Sequence, residues 1–273
     1  MKILVTGANG YLGQGIVKEL LNLGNYVIAA DFTSENIDNR ADITCCSIFD
    51  VEKPYEYFNK PDIVLHLAWK NGFVHNADNH IADLPKHYEF LKKMIDGGTK
   101  RVCVMGSMHE IGFFEGAIND NTPCNPMSMY GIAKNSLRQS VEIYAKEKEA
   151  QFIWLRGYYI VSNDVKGSSI FSKIAKAANE GKTEFPFTSG KNQYDFLDYD
   201  DFCYRVAKAS IQEKITGIIN ICSGKPESLS SRVERFIKDN QYNIKLKYGA
   251  FPDRPYDSKA IWGDSSKIAE ILG

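Results

Sequence analysis

Residues 1–13 read MKILVTGANGYLG. The run 2–6 (KILVT) is short, apolar and β-branched, with no polar alternation, which predicts a strand buried on both faces. It runs straight into Thr6-Gly7-Ala8-Asn9-Gly10-Tyr11-Leu12-Gly13 and then YLGQGIVKELLNLG. In that second stretch Leu12, Ile16 and Leu20 share one helical face, and Gly24 offers a stop. Strand, glycine-rich turn and helix, in that order, meet a specific demand: backbone must come close to a pyrophosphate. Gly7 permits the tight turn, Gly10 leaves room for the phosphates, and Gly13 lets the helix pack on the strand. The helix N-terminus then presents free N–H groups and a positive dipole end to the anion. Three spaced glycines alone also fit a tight turn with no ligand, so the strand before and the helix after carry the reading.

Asp31 ends the second strand-like run, 18 residues after Gly13. A carboxylate there suits the hydroxyls of an adenosine ribose and repels a 2′-phosphate, which points to NAD rather than NADP. No arginine follows it directly, and Arg40 is distant in sequence.

Further apolar runs lie at 26–30, 43–48, 62–67, 101–105, 152–156 and 217–221, separated by helical patterns at 84–97 and 128–150. Their alternation predicts an α/β fold, a Rossmann-type doubly wound parallel sheet with a smaller C-terminal substrate-binding lobe. The boundaries expected are 1–162 for the NAD-binding unit, with strand 217–221 returning to it, and 163–273 for the interleaved lobe. The whole chain has 273 residues, 33 Lys+Arg against 34 Asp+Glu, and 44% hydrophobic residues. That length gives ample core, and a net charge of −1 excludes a general nucleic-acid binder. Neither a signal-peptide pattern nor an apolar run of about 20 residues is present. Cys45, Cys46, Cys103, Cys124, Cys203 and Cys222 form no CxxC pair or zinc spacing. They read as buried free thiols in a reducing cytoplasm, and the histidines form no ligand set, so no metal is expected.

The second chemical signature is Tyr130-Gly131-Ile132-Ala133-Lys134 on the predicted 128–150 helix. A spacing of four puts both side chains on one face. A free tyrosine titrates near 10 and is a poor base at neutral pH. A neighbouring ammonium, together with the charge of oxidised nicotinamide, favours the phenolate. Such a tyrosine can exchange a proton with a sugar hydroxyl or ketone during hydride transfer. By itself the spacing is common on helix surfaces; beside the nucleotide turn it becomes specific.

Together these features resemble the extended short-chain dehydrogenase/reductases, the group of NAD-dependent sugar epimerases and dehydratases. The marks are TGANGYLG at 6–13, HLA at 66–68, GSMHEIG at 106–112, YGIAK at 130–134, LR at 155–156, YDFLDYDDF at 194–202, INICSGKPESLS at 219–230 and Arg254. The resemblance implies Ser107, Tyr130 and Lys134 as the catalytic set. For the cofactor it implies Gly7, Asn9, Gly10, Tyr11, Leu12, Gly13, Asp31, Ser47, Ile48, Leu67, Ala68 and Tyr158, with Tyr130 and Lys134. For the substrate it implies Ser107, Met108, His109, Tyr159 and Arg254, the last as a clamp on a nucleotide diphosphate. It also implies a homodimer through a four-helix interface formed by 84–97 and 128–150, with no nucleic-acid or membrane partner.

The chain departs from the family pattern where the reaction type is decided. Dehydratases carry Asp-Glu directly after the catalytic Thr; here Met108 and His109 stand there, and Glu110 comes one place too late. Ser47 replaces the usual Asp near the adenine, and Asp83 the usual Asn. Tyr194 replaces the arginine before Asp195-Phe196, and Tyr159 the Asn near the substrate phosphates. The expected function is therefore an NAD-dependent oxidoreductase acting on a nucleotide-linked sugar, by 4-keto reduction with Tyr130 as acid/base. A nucleotide-sugar 4-epimerase uses the same residues and remains open. So does a dehydrogenase of a free uronic acid, because Ser107-Met108-His109 is similar to the serine–x–His stretch of those enzymes. A dinucleotide-binding protein without catalysis is the fourth reading. The Asp31 argument predicts tighter binding of NADH than of NADPH in a fluorescence titration of both; a clear NADPH preference overturns it.

Overall fold

The computed structural model describes residues 1–165, 167, 169–253 and 257–273. The first half alternates strand and helix: β1 (Lys2–Thr6), α1 (Tyr11–Asn22), β2 (Tyr26–Asp31), β3 (Asp42–Cys45), α2 (Pro54–Tyr57), β4 (Ile63–His66), α3 (Asn79–Ala82), α4 (Leu84–Gly97), β5 (Arg101–Ser107), β6 (Gly116–Ile118), α5 (Met129–Glu147), β7 (Gln151–Gly157) and β8 (Tyr159–Val161). The remainder is α6 (Ile170–Asn179), β9 (Glu184–Pro186), β10 (Gln193–Asp198), α7 (Tyr199–Ile211), β11 (Gly217–Ile221), β12 (Pro226–Ser228), α8 (Leu229–Asp239), β13 (Lys245–Lys247), β14 (Ala260–Gly263) and α9 (Ser266–Leu272).

Seven strands form one parallel sheet in the order β11-β7-β5-β4-β1-β2-β3. The unbroken apolar character of its strands has a direct cause. Ile3 and Val5 of β1 pack on one face with Ile16 and Leu20 of α1, while Leu4 packs on the other with Phe90 and Leu91 of α4. Both faces are covered, so neither tolerates polar alternation. The expected doubly wound fold is thus the observed one. The edge strand β3 departs from that pattern: three of its four residues are exposed, because it has a neighbour on one side only. This corrects the reading of all six thiols as buried. The cysteines are free, and Cys103, Cys203 and Cys222 are buried, but Cys45 on β3 is exposed and Cys46 and Cys124 are half-buried.

A second sheet runs β12-β10-β14-β6, with β8 also paired to β10, and β13 pairs with β9. Asp195 of β10 is fully buried and ties this sheet together. Its carboxylate accepts from Ser223 N (2.7 Å), Gly224 N (2.9 Å) and Gly263 N (3.3 Å). Among the described residues no helix is long and apolar enough to cross a membrane.

The strand order reverses between β1 and β4. A crevice opens at such a point beyond the carboxyl ends of the strands, and ligands of doubly wound sheets bind there. Every candidate residue on the first five strands of the large sheet lies at one of those ends.

Candidate active site

The glycine-rich turn crosses the end of β1 with almost no clearance. Gly7 has φ +73°, and a Cβ there would stand 2.7 Å from Ala68 N. A Cβ on Gly13 would stand 2.1 Å from Gly7 O, so the helix rests on its own turn. Gly10 is different. Its φ of −72° suits any residue, and a Cβ would meet Gly7 O at 3.1 Å and nothing else described within 4 Å. Packing does not demand glycine there; the space it leaves faces outward from the helix end. That end carries no side-chain cap and no acidic residue in its first turn. The first amides of α1 therefore have no intrahelical acceptor, and a pyrophosphate fits the cradle.

Asp31 closes the far side of this turn. Its carboxylate accepts from Asn9 N (2.9 Å) and Phe32 N (2.7 Å). The Asn9 side chain is spent on the 33–36 loop, donating to Thr33 Oγ1 (2.6 Å) and accepting from Asn36 N (3.0 Å). Asn9 therefore ties the turn to the 33–36 loop. Tyr11 packs on Tyr199 with ring centroids 4.9 Å apart, and its carbonyl accepts the Tyr199 hydroxyl. Leu12 packs against the core. Cys46 N donates to Asp31 O (2.8 Å), which brings Ser47 beside the same strand end, while Ile48 is buried in the core.

Ser107, Tyr130 and Lys134 converge at the end of β5. Gly131 makes this possible: a Cβ there would stand 2.3 Å from His109 O, so α5 lies directly on the short 3-10 turn 108–110. Ser128 caps the helix, accepting from Gly131 N at 3.1 Å, and Tyr130 N donates to His75 O at 2.8 Å. The Ser107 side chain faces the Tyr130 phenol and favours its ionised form. Lys134 is buried, and its Nζ donates to Met105 O at 2.8 Å and stands 5.9 Å from the Tyr130 ring centroid.

The electrostatics correct a simple picture of an acidified phenol. Burial pushes Tyr130 up to about 12, against the opposing effect of the Ser107 side chain. Burial pushes Lys134 down to about 7, opposed by the Glu110 charge. In the protein's own field the tyrosine is a proton donor and the lysine sits close to its titration point.

The remaining expected residues are placed as follows. Met108 opens the 3-10 turn and is buried in the core. Tyr158 is buried, and its hydroxyl donates to Asn220 Oδ1 (3.2 Å) on β11. Tyr159 packs against Tyr194 (4.5 Å) and Phe196 (5.6 Å) with tilted rings, because β8 pairs with β10. Arg254 lies outside the described residues. Glu110 turns inward and accepts from Ser107 N (2.6 Å) and Trp154 Nε1 (2.9 Å), with Arg156 Nη2 at 3.5 Å. Gly106 opens the path for that carboxylate, since a Cβ there would stand 2.8 Å from Glu110 Oε1.

The residues missed in the sequence are Trp69 and the four histidines other than His109. All five histidines of the chain meet around Tyr130 and Trp69. His75 lies parallel to the Tyr130 ring (5.5 Å) and touches His109 (4.3 Å). Trp69 stacks on His87 (4.4 Å) and donates from Nε1 to His80 Nδ1 (3.0 Å). His66 bridges Thr6 Oγ1 (2.8 Å) and His87 Nδ1 (2.9 Å). Scattered between residues 66 and 109, the histidines show no ligand spacing, and pairing across two strand ends and two helices is what unites them. Among the described residues no group of three His, Cys, Asp or Glu could hold a metal ion.

Comparison with known proteins places these features in context. The model of the NAD dependent epimerase/dehydratase family matches residues 3–222. The dTDP-6-deoxy-L-talose 4-dehydrogenase (NAD(+)) of Aggregatibacter actinomycetemcomitans is 45% identical over 269 residues, covering 96% of this chain and 99% of that protein. A putative UDP-glucose 4-epimerase of Methanocaldococcus jannaschii is 25% identical, covering 99% and 92%. Among solved structures, UDP-glucose 4-epimerase of Thermotoga maritima superposes with TM-score 0.83 at 23% identity, covering 99% and 92%, a likeness of fold.

The buried histidines make stability depend on pH. Burial holds His66 and His75 below the ordinary imidazole value, His109 at about 4 and His87 at about 3. Unfolding restores the ordinary value near 6.5, so below it the unfolded chain binds more protons. Stability contributed by these groups is present above about 6.5 and is lost as pH falls through about 4 toward about 3. Thermal melts between pH 7 and 4 should show a falling Tm, with a shallower slope for His87→Phe. Equal slopes in the two proteins would refute the assignment.

Proposed function

This chain belongs to the NAD dependent epimerase/dehydratase family, and on that premise we propose that it is an NAD-dependent oxidoreductase acting at C4 of a nucleotide-linked 6-deoxysugar. The observation that carries the reading is the convergence of Ser107, Tyr130 and Lys134 beside the Gly7–Gly13 turn. The 45% identity to a dTDP-6-deoxy-L-talose 4-dehydrogenase supports the same sugar nucleotide as substrate.

The amides opening α1 and the space beside Gly10 would hold the pyrophosphate, and Asp31 the adenosine ribose. NAD, when bound, supplies the acceptor and donor of hydride. Tyr130 takes the proton of the C4 hydroxyl in oxidation and returns it to the 4-ketone in reduction. Its position near 12 makes it a ready donor, so reduction needs no prior ionisation. For oxidation the phenol must lose its proton, and the ammonium form of Lys134 favours that loss. Ser107 Oγ shares a hydrogen bond with the reacting oxygen and orients it. His75 and His109, held neutral, flank the ring and suit hydroxyl groups of a sugar. The turn inward of Glu110 removes a carboxylate from the sugar side, which disfavours dehydration. Six free thiols support a reducing compartment, the cytoplasm.

Tyr130→Phe should lower turnover of dTDP-6-deoxy-L-talose with NAD by at least about a hundredfold, the usual scale of acid–base catalysis. NADH affinity, measured by fluorescence, should stay within about twofold. Net NADH formation separates this reading from an epimerase, which returns its hydride to the sugar. Unchanged turnover in Tyr130→Phe refutes the mechanism.

A homodimer through α4 and α5 is the proposed assembly. The two helices pack side by side, with Tyr88 and Tyr144 in edge contact (6.3 Å) and the Tyr144 hydroxyl donating to Asp96 (2.5 Å). The outer face of α5 leaves Ile143 70% and Ile132 44% exposed, apolar surface suited to an isologous partner. Light scattering should give twice the 30.8 kDa chain mass, and Ile143→Glu should shift it toward the monomer. A concentration-independent monomer argues against the interface.

A further inference from the structure

Lys134 is buried, yet among the described residues no carboxylate lies within ion-pair distance of it. What meets its ammonium is the face of an indole: Nζ stands 3.8 Å from the Trp69 ring centroid. A cation over an aromatic face is attracted by the ring quadrupole, most strongly by Trp and more so when water is excluded.

The indole is held for this contact from every side. Its Nε1 donates to His80 Nδ1 at 3.0 Å. That nitrogen is therefore an acceptor, so His80 Nε2 carries the proton and donates to Val74 O at 2.9 Å. His87 stacks on the indole at 4.4 Å with an interplanar angle of 16°, and is itself bonded to His66. Tyr130 meets the indole edge-on at 6.1 Å. Thus the ring is locked by one hydrogen bond and one stack.

We propose that Trp69 is a positioning residue of the reaction, whose ring face keeps the proton of the Tyr130–Lys134 pair on the lysine and so leaves the tyrosine as the base. The inference rests on the catalytic roles given above to Tyr130 and Lys134. When a phenol and an amine interact closely, the singly protonated pair exists as two forms: phenol with neutral amine, or phenolate with ammonium. The second form is the one that accepts a proton from the sugar. The groups facing Lys134 decide between them. Met105 O on β5 accepts its proton and Glu110 on the 3-10 turn favours its charge. Burial opposes the charge, His66 on β4 and His87 on α4 are neutral neighbours, and Tyr130 shares its own helix. Of the two aromatic rings that face the ammonium, Trp69 is the nearer, at 3.8 Å against 5.9 Å for Tyr130.

The test compares Trp69→Leu, Trp69→Phe and Lys134→Met with the wild type. Sugar oxidation with NAD is measured from pH 5.5 to 10 on dTDP-6-deoxy-L-talose. The Lys134 titration is read by NMR on protein labelled with ¹³C at lysine Cε, the signal being identified by its loss in Lys134→Met. In Trp69→Leu the titration should move down by about one pH unit, a tenfold change in the protonation equilibrium. Oxidation should fall about tenfold on the alkaline side of that titration and much less on the acid side. Trp69→Phe, which keeps a π face, should recover most of both effects. A merely structural role would instead lower the rate equally at all pH values. If Lys134→Met is inactive while the lysine titrates at wild-type pH in both Trp69 variants, the role of Trp69 is refuted. If Lys134→Met oxidises the sugar normally, the functional reading beneath it fails first. Should Trp69→Leu not fold, the titration in Trp69→Phe against Trp69→Tyr decides, an order of Trp, Tyr, Phe supporting the inference and no shift in either refuting it.

Discussion

The backbone of the first turn and the backbone after β4 touch. No side chain fits between Gly7 and Ala68, where even a methyl would stand 2.7 Å from the Ala68 amide. This contact fixes how the ends of β1 and β4 sit at the reversal of strand order. It aims the uncapped end of α1 across the crevice, and it places Trp69, one residue on, over the helix that carries Lys134. The cradle for an anion and the environment of the lysine are consequences of the same close approach.

Around that contact the site is built from neutral rings rather than fixed charges. Thr6, at the end of β1, bonds His66 at the end of β4, and His66 bonds His87 on α4. Burial prevents these imidazoles from charging, so they add dipoles and surface without competing for the lysine's counter-charge. The one buried carboxylate nearby, Glu110, is occupied with Ser107 N, Trp154 and Arg156. Lys134 therefore depends on a carbonyl and an indole, which stabilise an ammonium less firmly than a carboxylate would. A proton held that loosely is easily exchanged with a phenol, as acid/base work in both directions requires.

How much of this was legible in the sequence depended on whether the cause was local. Lys2–Thr6 reads as a buried strand because Ile3, Leu4 and Val5 each face a covered layer. The tight turn at Gly7 and the close packing at Gly13 were legible because their demand lies within one turn. Ser107, Tyr130 and Lys134 stand in recognisable local patterns, and folding brings them together. Cys45 misled, since its neighbours resemble a central strand and only the sheet order reveals an edge. The burial of Met108 and Tyr158 was not legible, since it depends on the 3-10 turn and on the pairing of β7 with β11. Trp69 and the four histidines other than His109 left no periodic signal at all. Their meaning arises only from pairing across β1, β4, α4 and the loop before α3, a juxtaposition no spacing in the chain encodes.

The direction taken by Glu110 limits the chemistry as much as Tyr130 enables it. Eliminating water from a sugar needs an acid and a base placed at neighbouring carbons, besides the group that handles the oxidised one. The turn after β5 is where such carboxylates would stand. Here its first residue is rolled into the core, its second is a neutral imidazole packed on His75, and its third is drawn under β5 through the opening left by Gly106. Bringing Glu110 back toward the crevice would strand Arg156, a guanidinium buried to 1% exposure whose Nε and Nη1 already lack partners among the described residues. Removing one member of a buried pair leaves an uncompensated charge, at a cost of about 3–5 kcal/mol. The fold therefore holds the carboxylate inside, and the proposed reaction at a single carbon rests on Ser107, Tyr130 and Lys134 alone.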